Sequence, residues 1–120
     1  MVGPVIEVPE KQFDVFTVTY SSSHGYHALA SLAAAAQKLG LDRQIALQAA
    51  AHGLADGIVA WRGGNISLDE LMQEAATPNG IAATVMRSMD DAGYQRAVRK
   101  GLEAGLERTR KIQRSLPSRL

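Results

Sequence analysis

The segment Thr77-Pro78-Asn79-Gly80-Ile81-Ala82 has residue types that can receive an anion. Pro78 disfavours helix at the residue before it, and Asn79-Gly80 tolerates the positive φ of a tight turn, so we expect a loop here. A helix that starts directly after such a loop presents unpaired amides and the positive end of its dipole. The sequence therefore predicts a weak carboxylate site at the amides of Gly80, Ile81 and Ala82.

A second group of chemical side chains, Ser22, His24 and Tyr26, lies in a serine-rich turn. A histidine there could donate a proton to a reduced imine or carbonyl near neutral pH. The competing interpretation is a histidine at a helix start that bonds to backbone, beside serines that cap the helix. The competing interpretation is favoured, and the three residues are retained as a candidate pocket.

The remaining polar residues do not indicate a metal, a nucleophile or a nucleic-acid site. His52 lies inside a predicted helix without further ligands at a compatible spacing. Asp90 and Asp91 are adjacent on a helix and therefore do not face each other. The arginine-rich C-terminal segment is diluted by acidic residues and has no interleaved aromatics that could stack on bases.

Helical periodicity and end signals predict the elements that position these residues. The first helix follows Ser23 and stops at Gly40. The others run from Asp42 to Gly63 and Gly64, from the Ser67–Glu70 capping box to Ala75, from Ile81 to Ala92, and onward from Tyr94. We expect an all-α domain of about five helices over residues 17–116, with a frayed tail at 117–120.

The first sixteen residues differ from the rest in composition. Pro4 and Pro9 discourage helix, and Val5, Ile6 and Val8 suggest an extended piece, so residues 1–16 are interpreted as a lead-in arm. Such an arm has no core of its own. We expect it where a chain has been cut from a longer protein.

Composition narrows the class of protein. The 120 residues are 46% hydrophobic but only 5% aromatic, which favours closely packed helices of small side chains, and the size fits one domain. A net charge of +1 does not give the strong positive potential that attracts nucleic acid, and it does not indicate a disordered chain. With no cysteine, no run of about 18 apolar residues and no signal peptide, we expect a cytoplasmic protein outside membranes.

Four glycines lie inside predicted helices: Gly53 and Gly57 in the second, Gly101 and Gly105 in the last. Each costs about 1 kcal/mol against alanine at an exposed site, so a close helix approach should offset it. Packing within one monomer and packing across a homodimer explain the glycines equally well. Because alanine-rich helices cannot easily enclose a large core alone, we favour the dimer.

Several landmarks together give the chain a resemblance to a known family. Ala76-Thr77-Pro78-Asn79-Gly80-Ile81-Ala82 is similar to the Thr-Ser-Pro-Gly-Gly-Thr-Thr loop of pyrroline-5-carboxylate reductases, and Ala92-Gly93-Tyr94-Gln95-Arg96-Ala97 resembles their Gly-Gly-Phe-Arg-Ala-Ala junction. Weaker matches are Phe13-Asp14 with Thr17, and Lys38-Leu39-Gly40-Leu41. Residues 13–112 thus resemble the C-terminal dimerisation domain of that family.

The resemblance implies a fold and a role. It implies an interleaved helical dimer of the 6-phosphogluconate dehydrogenase C-terminal-like type, which serves proline biosynthesis by completing the substrate pocket beside a Rossmann domain that binds NADH or NADPH. No Gly-x-Gly-x-x-Gly follows a predicted strand here, so the cofactor is expected to bind a partner domain, upstream in the same chain or separate. We expect the isolated chain to be inactive and to bind no cofactor.

Two departures from the family pattern bear on the substrate. The family's loop amides and threonine hydroxyls receive the carboxylate of a cyclic imino acid, but the two threonines are Ile81 and Ala82 here. The family's Ser-Gly-Ser-Gly-Pro-Ala-Tyr stretch aligns best with Tyr20–Tyr26, where little is kept. An alternative function is therefore a stand-alone helical homodimer that acts as a scaffold or binding module without chemistry.

Overall fold

A computed structural model of the chain describes residues 6–116. That range holds a short 3₁₀ turn, Glu10–Gln12, and six α-helices: α1 Phe13–Ser21, α2 His24–Lys38, α3 Arg43–Gly63, α4 Leu68–Ala75, α5 Ile81–Asp91 and α6 Tyr94–Ser115. No strand occurs among these described residues, and the all-α prediction is confirmed. The predictions for residues 1–5 and for the tail at 117–120 lie outside the described residues.

The ends of α2 and α5 follow the glycine signals in the sequence. Gly40 has φ +121°, its N–H donates to Gln37 O at 3.1 Å, and the N–H of Leu41 donates to Ala36 O at 3.1 Å. These two bonds are the Schellman pattern, in which a left-handed residue lets the last carbonyls find donors. Gly93, with φ +95°, separates α5 from α6 in the same conformation.

The starts of α3 and α4 also agree with the sequence. Asp42 is the N-cap of α3 through its backbone, because Ala46 N–H donates to Asp42 O at 2.8 Å. At α4, Glu70 N–H donates to the Ser67 hydroxyl at 3.1 Å, which is one half of the predicted capping box. Helix α3 ends at Gly63 and α4 at Ala75, as predicted.

Helix α1 was not predicted, because residues 10–16 were expected to belong to an extended arm. Pro9 is the N-cap of the 3₁₀ turn that leads into this helix, and Gln12 N–H donates to Pro9 O at 2.9 Å to close that turn. The hydroxyls of Thr19 and Ser21 donate to carbonyls one turn earlier, at 2.8 and 2.6 Å. Residues with poor helix propensity are thereby accommodated.

The helices form two compact units. One unit combines the segment that ends at Ser22 with the segment that begins at Gly93, and here α1 packs along α6. The other unit is Ser23–Ala92, in which α2 packs along α3. The Thr77–Ala82 loop lies in this second unit, between α4 and α5.

Alanine forms the buried part of the α2–α3 pair. Ala33, Ala46 and Ala50 are 6%, 1% and 3% exposed, and Leu29 and Ala36 pack against them. Small side chains allow two helix backbones to approach closely, as the low aromatic content predicts. These three alanines are the only buried hydrophobic residues among residues 6–116.

Large apolar side chains, in contrast, remain exposed on every helix. Leu32 is 44% exposed on α2, Ile58 57% on α3, and Met89 44% on α5. Apolar side chains exposed on each helix are typical of faces that pack against another surface. None of the helices in the described part of the chain combines the length and hydropathy needed to cross a membrane.

Candidate functional site

The loop before α5 is closed by a backbone turn at Thr77–Gly80. Gly80 N–H donates to Thr77 O at 2.8 Å, and Asn79 adopts φ +63°. Asparagine is one of the few residues with a side chain that visits this left-handed region readily. Proline before it and asparagine within it therefore produce the turn that the sequence predicts.

Glycine is needed at position 80 because a side chain would clash there, and not because of its backbone dihedral angles. Its φ of −77° and ψ of 161° are open to any residue, and it forms the N-cap of α5. A Cβ atom built on Gly80 would lie 2.9 Å from Thr77 O, closer than real Cβ contacts. The close approach of two backbone segments thus selects glycine at this position.

The amides available to an anion lie one residue later in the chain than predicted. Because Gly80 N–H is bonded within the turn, it is not free to receive a carboxylate. The first helical bond of α5 runs from Thr84 N–H to Gly80 O at 3.1 Å, and Gly80 provides no side-chain cap. The amides of Ile81, Ala82 and Ala83 consequently have no acceptor within the helix.

Side chains contribute little to this helix start. Ile81 and Ala82 carry no hydroxyl, and the Thr77 hydroxyl donates to Glu74 O at 3.1 Å. The hydroxyl proton of Thr77 is therefore already hydrogen-bonded to a carbonyl at the end of α4. Backbone amides and the helix dipole are left to attract an anion.

Asn79 and five residues that were not predicted from the sequence line a groove beside the loop. This groove, of about 320 Å³, is lined by Asn79, Ala83, Thr84, Arg87, Ser88 and Asp91. The Thr84 hydroxyl donates to Gly80 O at 3.0 Å, and Arg87 brings a positive charge to the same face of α5. Counting four residues on from Gly80 could have identified Thr84, because hydroxyls in helices bond back one turn.

The serine-rich turn has a different role from the predicted capping. The Ser22 hydroxyl donates to Thr19 O at 3.3 Å at the end of α1, and Ser23, the N-cap of α2, makes no side-chain capping bond. His24 and Tyr26 occupy the exposed first turn of α2. Ser22 belongs to one compact unit, whereas His24 and Tyr26 belong to the other. A pocket shared by the three residues therefore stays a prediction.

The helical glycines divide into two kinds. A Cβ built on Gly105 would lie 3.0 Å from Val18 Cγ1, so Gly105 serves the packing of α6 on α1 within one unit. Gly53, Gly57 and Gly101 have no described atom within 4 Å apart from their own helix backbone and chain neighbours. Packing within one monomer thus accounts for Gly105, and packing across a dimer stays a prediction for the other three.

His52 pairs with an acid on the exposed side of α3. Its Nδ1 lies 3.2 Å from both carboxylate oxygens of Asp56, one helical turn away. Both side chains are largely exposed, so the pair adds little to stability. No cluster of three or more potential metal ligands occurs within residues 6–116.

The comparisons with known proteins agree with this helical arrangement. Residues 10–112 match the family model described as pyrroline-5-carboxylate reductase dimerisation. A pyrroline-5-carboxylate reductase of Thermus thermophilus is 30% identical over 116 residues, which are 95% of this chain and 44% of that relative's length. No solved structure gives a significant match. With most of its length matched by the family model, the chain belongs to the pyrroline-5-carboxylate reductase dimerisation family.

Proposed function

We propose that this chain is the dimerisation and partial substrate-pocket domain of a pyrroline-5-carboxylate reductase-like oxidoreductase of proline biosynthesis. The observation that supports this proposal most directly is the distribution of apolar side chains. Only three alanines are buried among residues 6–116, while large apolar side chains are exposed on every helix. A second copy of the chain would cover that surface. Membership in a dimerisation family supports the same partner.

The Thr77–Ala82 loop is the proposed contribution to the substrate pocket. The free amides of Ile81, Ala82 and Ala83 can receive the carboxylate of a cyclic imino acid, as helix starts do for anions. Arg87 and Asp91 both line the neighbouring groove, so the positive charge of Arg87 is offset there by a carboxylate. Ile81 and Ala82 supply no hydroxyl, so the affinity of the isolated site for a proline-like carboxylate should be about millimolar at best.

The cofactor would bind outside this chain. A dinucleotide site needs a strand, a glycine-rich turn and a helix in sequence, and residues 6–116 contain helices without a strand. The residues described here therefore do not fit NADH or NADPH. A Rossmann domain, upstream in a longer chain or on a separate one, would supply hydride transfer.

Size-exclusion chromatography with light scattering tests the dimer. At tens of micromolar we expect a mass of two chains, and a clean monomer would contradict the proposal. A nicotinamide fluorescence titration and an imine reductase assay of the chain by itself should both be negative. Turnover by the isolated chain would contradict the proposal that a separate Rossmann domain supplies the cofactor site.

The loss of the two loop threonines favours an alternative function. A helical homodimer with Ile81 and Ala82 in the loop could act as a scaffold or binding module without chemistry. Amide shift changes on titration with proline separate the two functions. Perturbation at residues 81–83 supports the substrate pocket, whereas response of another surface alone supports the scaffold.

A further inference from the structure

One face of α5 carries polar side chains of both charges. They are three or four residues apart, which places them on the same side of the helix: Thr84, Arg87, Ser88 and Asp91. All of them line the groove of about 320 Å³, which lies wholly within the unit Ser23–Ala92. The groove therefore combines a guanidinium, a carboxylate and two hydroxyls on a single helix face.

Arg87 and Asp91 are one helical turn apart, but their charges do not meet. On α6, Arg99 and Glu103 have the same order and spacing, and their side chains pair at 3.3 Å. No ion pair within residues 6–116 includes Arg87 or Asp91. Aspartate is one methylene shorter than glutamate, which leaves the two charged groups on α5 further apart. A ligand can therefore contact both of them.

The position of Asp91 is unfavourable for α5 itself. Asp91 is the last residue of the helix, where the dipole disfavours negative charge, and the last turn has no basic residue to compensate. Asp90 adds a second carboxylate to the same turn. Residues that oppose the local electrostatics of their own helix are expected mainly at functional sites. A cationic group in the groove would remove the conflict at Asp91.

The two charges also determine which class of ligand fits. A simple anion would meet the carboxylate of Asp91, and a simple cation would meet the guanidinium of Arg87. A zwitterion presents the opposite charge to each of them. Ligand pockets have volumes of about 300–1,000 Å³, so a groove of about 320 Å³ suits a small molecule.

We propose that the α5 groove binds a small amino acid as its zwitterion, with the carboxylate on Arg87 and the ammonium on Asp91. The hydroxyls of Thr84 and Ser88 can donate to the carboxylate or accept from the ammonium. This proposal goes beyond the proposed function, because it uses side chains of α5 and needs neither the amides at the start of the helix nor a cofactor.

Glycine is the probe for this site, since it has both charges and no side chain. Acetate and glycinamide are the controls, because each carries one of the two charges alone. In amide shift titrations at matched ionic strength, glycine should perturb residues 84–91. Its Kd should be about fivefold lower than that of either control, as expected for one additional exposed charge pair.

The matched variants are Asp91→Asn and Asp90→Asn. Both remove one carboxylate from the last turn of α5, but only Asp91 lines the groove. Asp91→Asn should weaken glycine binding about fivefold without weakening acetate binding, whereas Asp90→Asn should bind like the parent. Arg87→Gln should weaken glycine and acetate and spare glycinamide. Should a variant lose its helical circular dichroism, the three ligands on the parent chain still decide the question.

The outcomes separate this proposal from the proposed function. Equal affinities of glycine and acetate for the parent, or equal glycine affinities of Asp91→Asn and Asp90→Asn, would contradict a zwitterion site. Glycine shifts confined to residues 81–83 would overturn the groove and leave the loop amides as the carboxylate site. Zwitterion-selective shifts at residues 84–91 in a monomeric protein would support the groove while contradicting the proposed dimer.

Discussion

Neighbouring residues at the start of α5 are constrained in different ways. Asn79 is constrained by its own backbone, because φ +63° is unfavourable for most residues with a side chain. Gly80 has ordinary dihedral angles and is constrained by the Thr77 carbonyl oxygen, 2.9 Å from the position of a Cβ. Substitutions at the two positions should therefore report on different forces.

Asn79→Val should destabilise the chain, and Asn79→Gly should not. A β-branched side chain in the left-handed region costs about 1–2 kcal/mol, whereas glycine adopts the region freely. Urea unfolding at one fixed protein concentration measures the difference. Equal stability of the valine and glycine variants would show that the turn does not need a positive φ.

Gly53→Leu should weaken the dimer without unfolding a single chain. A Cβ at Gly53 meets no described atom within 4 Å outside its own helix backbone, so the position is open in one chain. A clash with a partner chain is the expected cause of any weaker assembly. Overpacking a tight contact costs about 1–3 kcal/mol, which raises the dimer Kd roughly five- to 150-fold. Analytical ultracentrifugation gives the Kd, with Arg110→Ala as a surface control.

Gly105→Leu provides the matched comparison for Gly53→Leu. Val18 Cγ1 already lies 3.0 Å from a Cβ at Gly105, so leucine there should destabilise the α1–α6 pair in monomer and dimer alike. If Gly53→Leu leaves the dimer Kd unchanged, Gly53 has no role in assembly.

Only part of the candidate site could be predicted from the sequence. The turn was predictable because proline, asparagine and glycine each impose a local backbone preference. The bonded state of the Gly80 amide and the positions of Thr84 and Arg87 were not, because they depend on the geometry of the completed turn and on the phase of α5. Site residues that adjoin one another in the sequence could therefore be predicted, whereas residues that are brought together only by the fold could not.

At the scale of helices, predictions succeeded where an end signal was present. Gly40, Ser67 and Gly93 terminate or start helices through local bonds, and the structure has them where expected. Helix α1 was missed because Pro9 and β-branched residues argue against helix locally, while packing on α6 favours it. The serines before α2 were misassigned because their hydroxyls bond backward to α1.

The contact between α2 and α3 should be intolerant of larger side chains. Ala46 is 1% exposed, so Ala46→Leu must separate the two helices and should cost about 1–3 kcal/mol or more. Ala55→Leu, at an exposed position on the same helix, should be nearly neutral. Chemical denaturation of both variants checks the contrast. Similar losses in both would contradict the close alanine packing.

At the scale of the whole molecule, thermal stability should depend on protein concentration. If folding and dimerisation are coupled, a tenfold rise in concentration adds about 1.4 kcal/mol per dimer. For two chains of 120 residues, that change corresponds to a Tm increase of roughly 2–4 °C. Scanning fluorimetry over two decades of concentration tests this. A constant Tm would indicate that each chain folds independently.

The small alanine core also has a calorimetric consequence. The heat-capacity change of unfolding reports mainly the apolar area removed from water. Three fully buried alanines, with the other apolar side chains only partly covered, remove less apolar area than the core of a compact domain. An isolated chain should consequently unfold with a small heat-capacity change and a broad transition. Most of the heat-capacity change of the native protein would then arise when two chains associate, so that calorimetry of dimer dissociation would resemble calorimetry of folding itself.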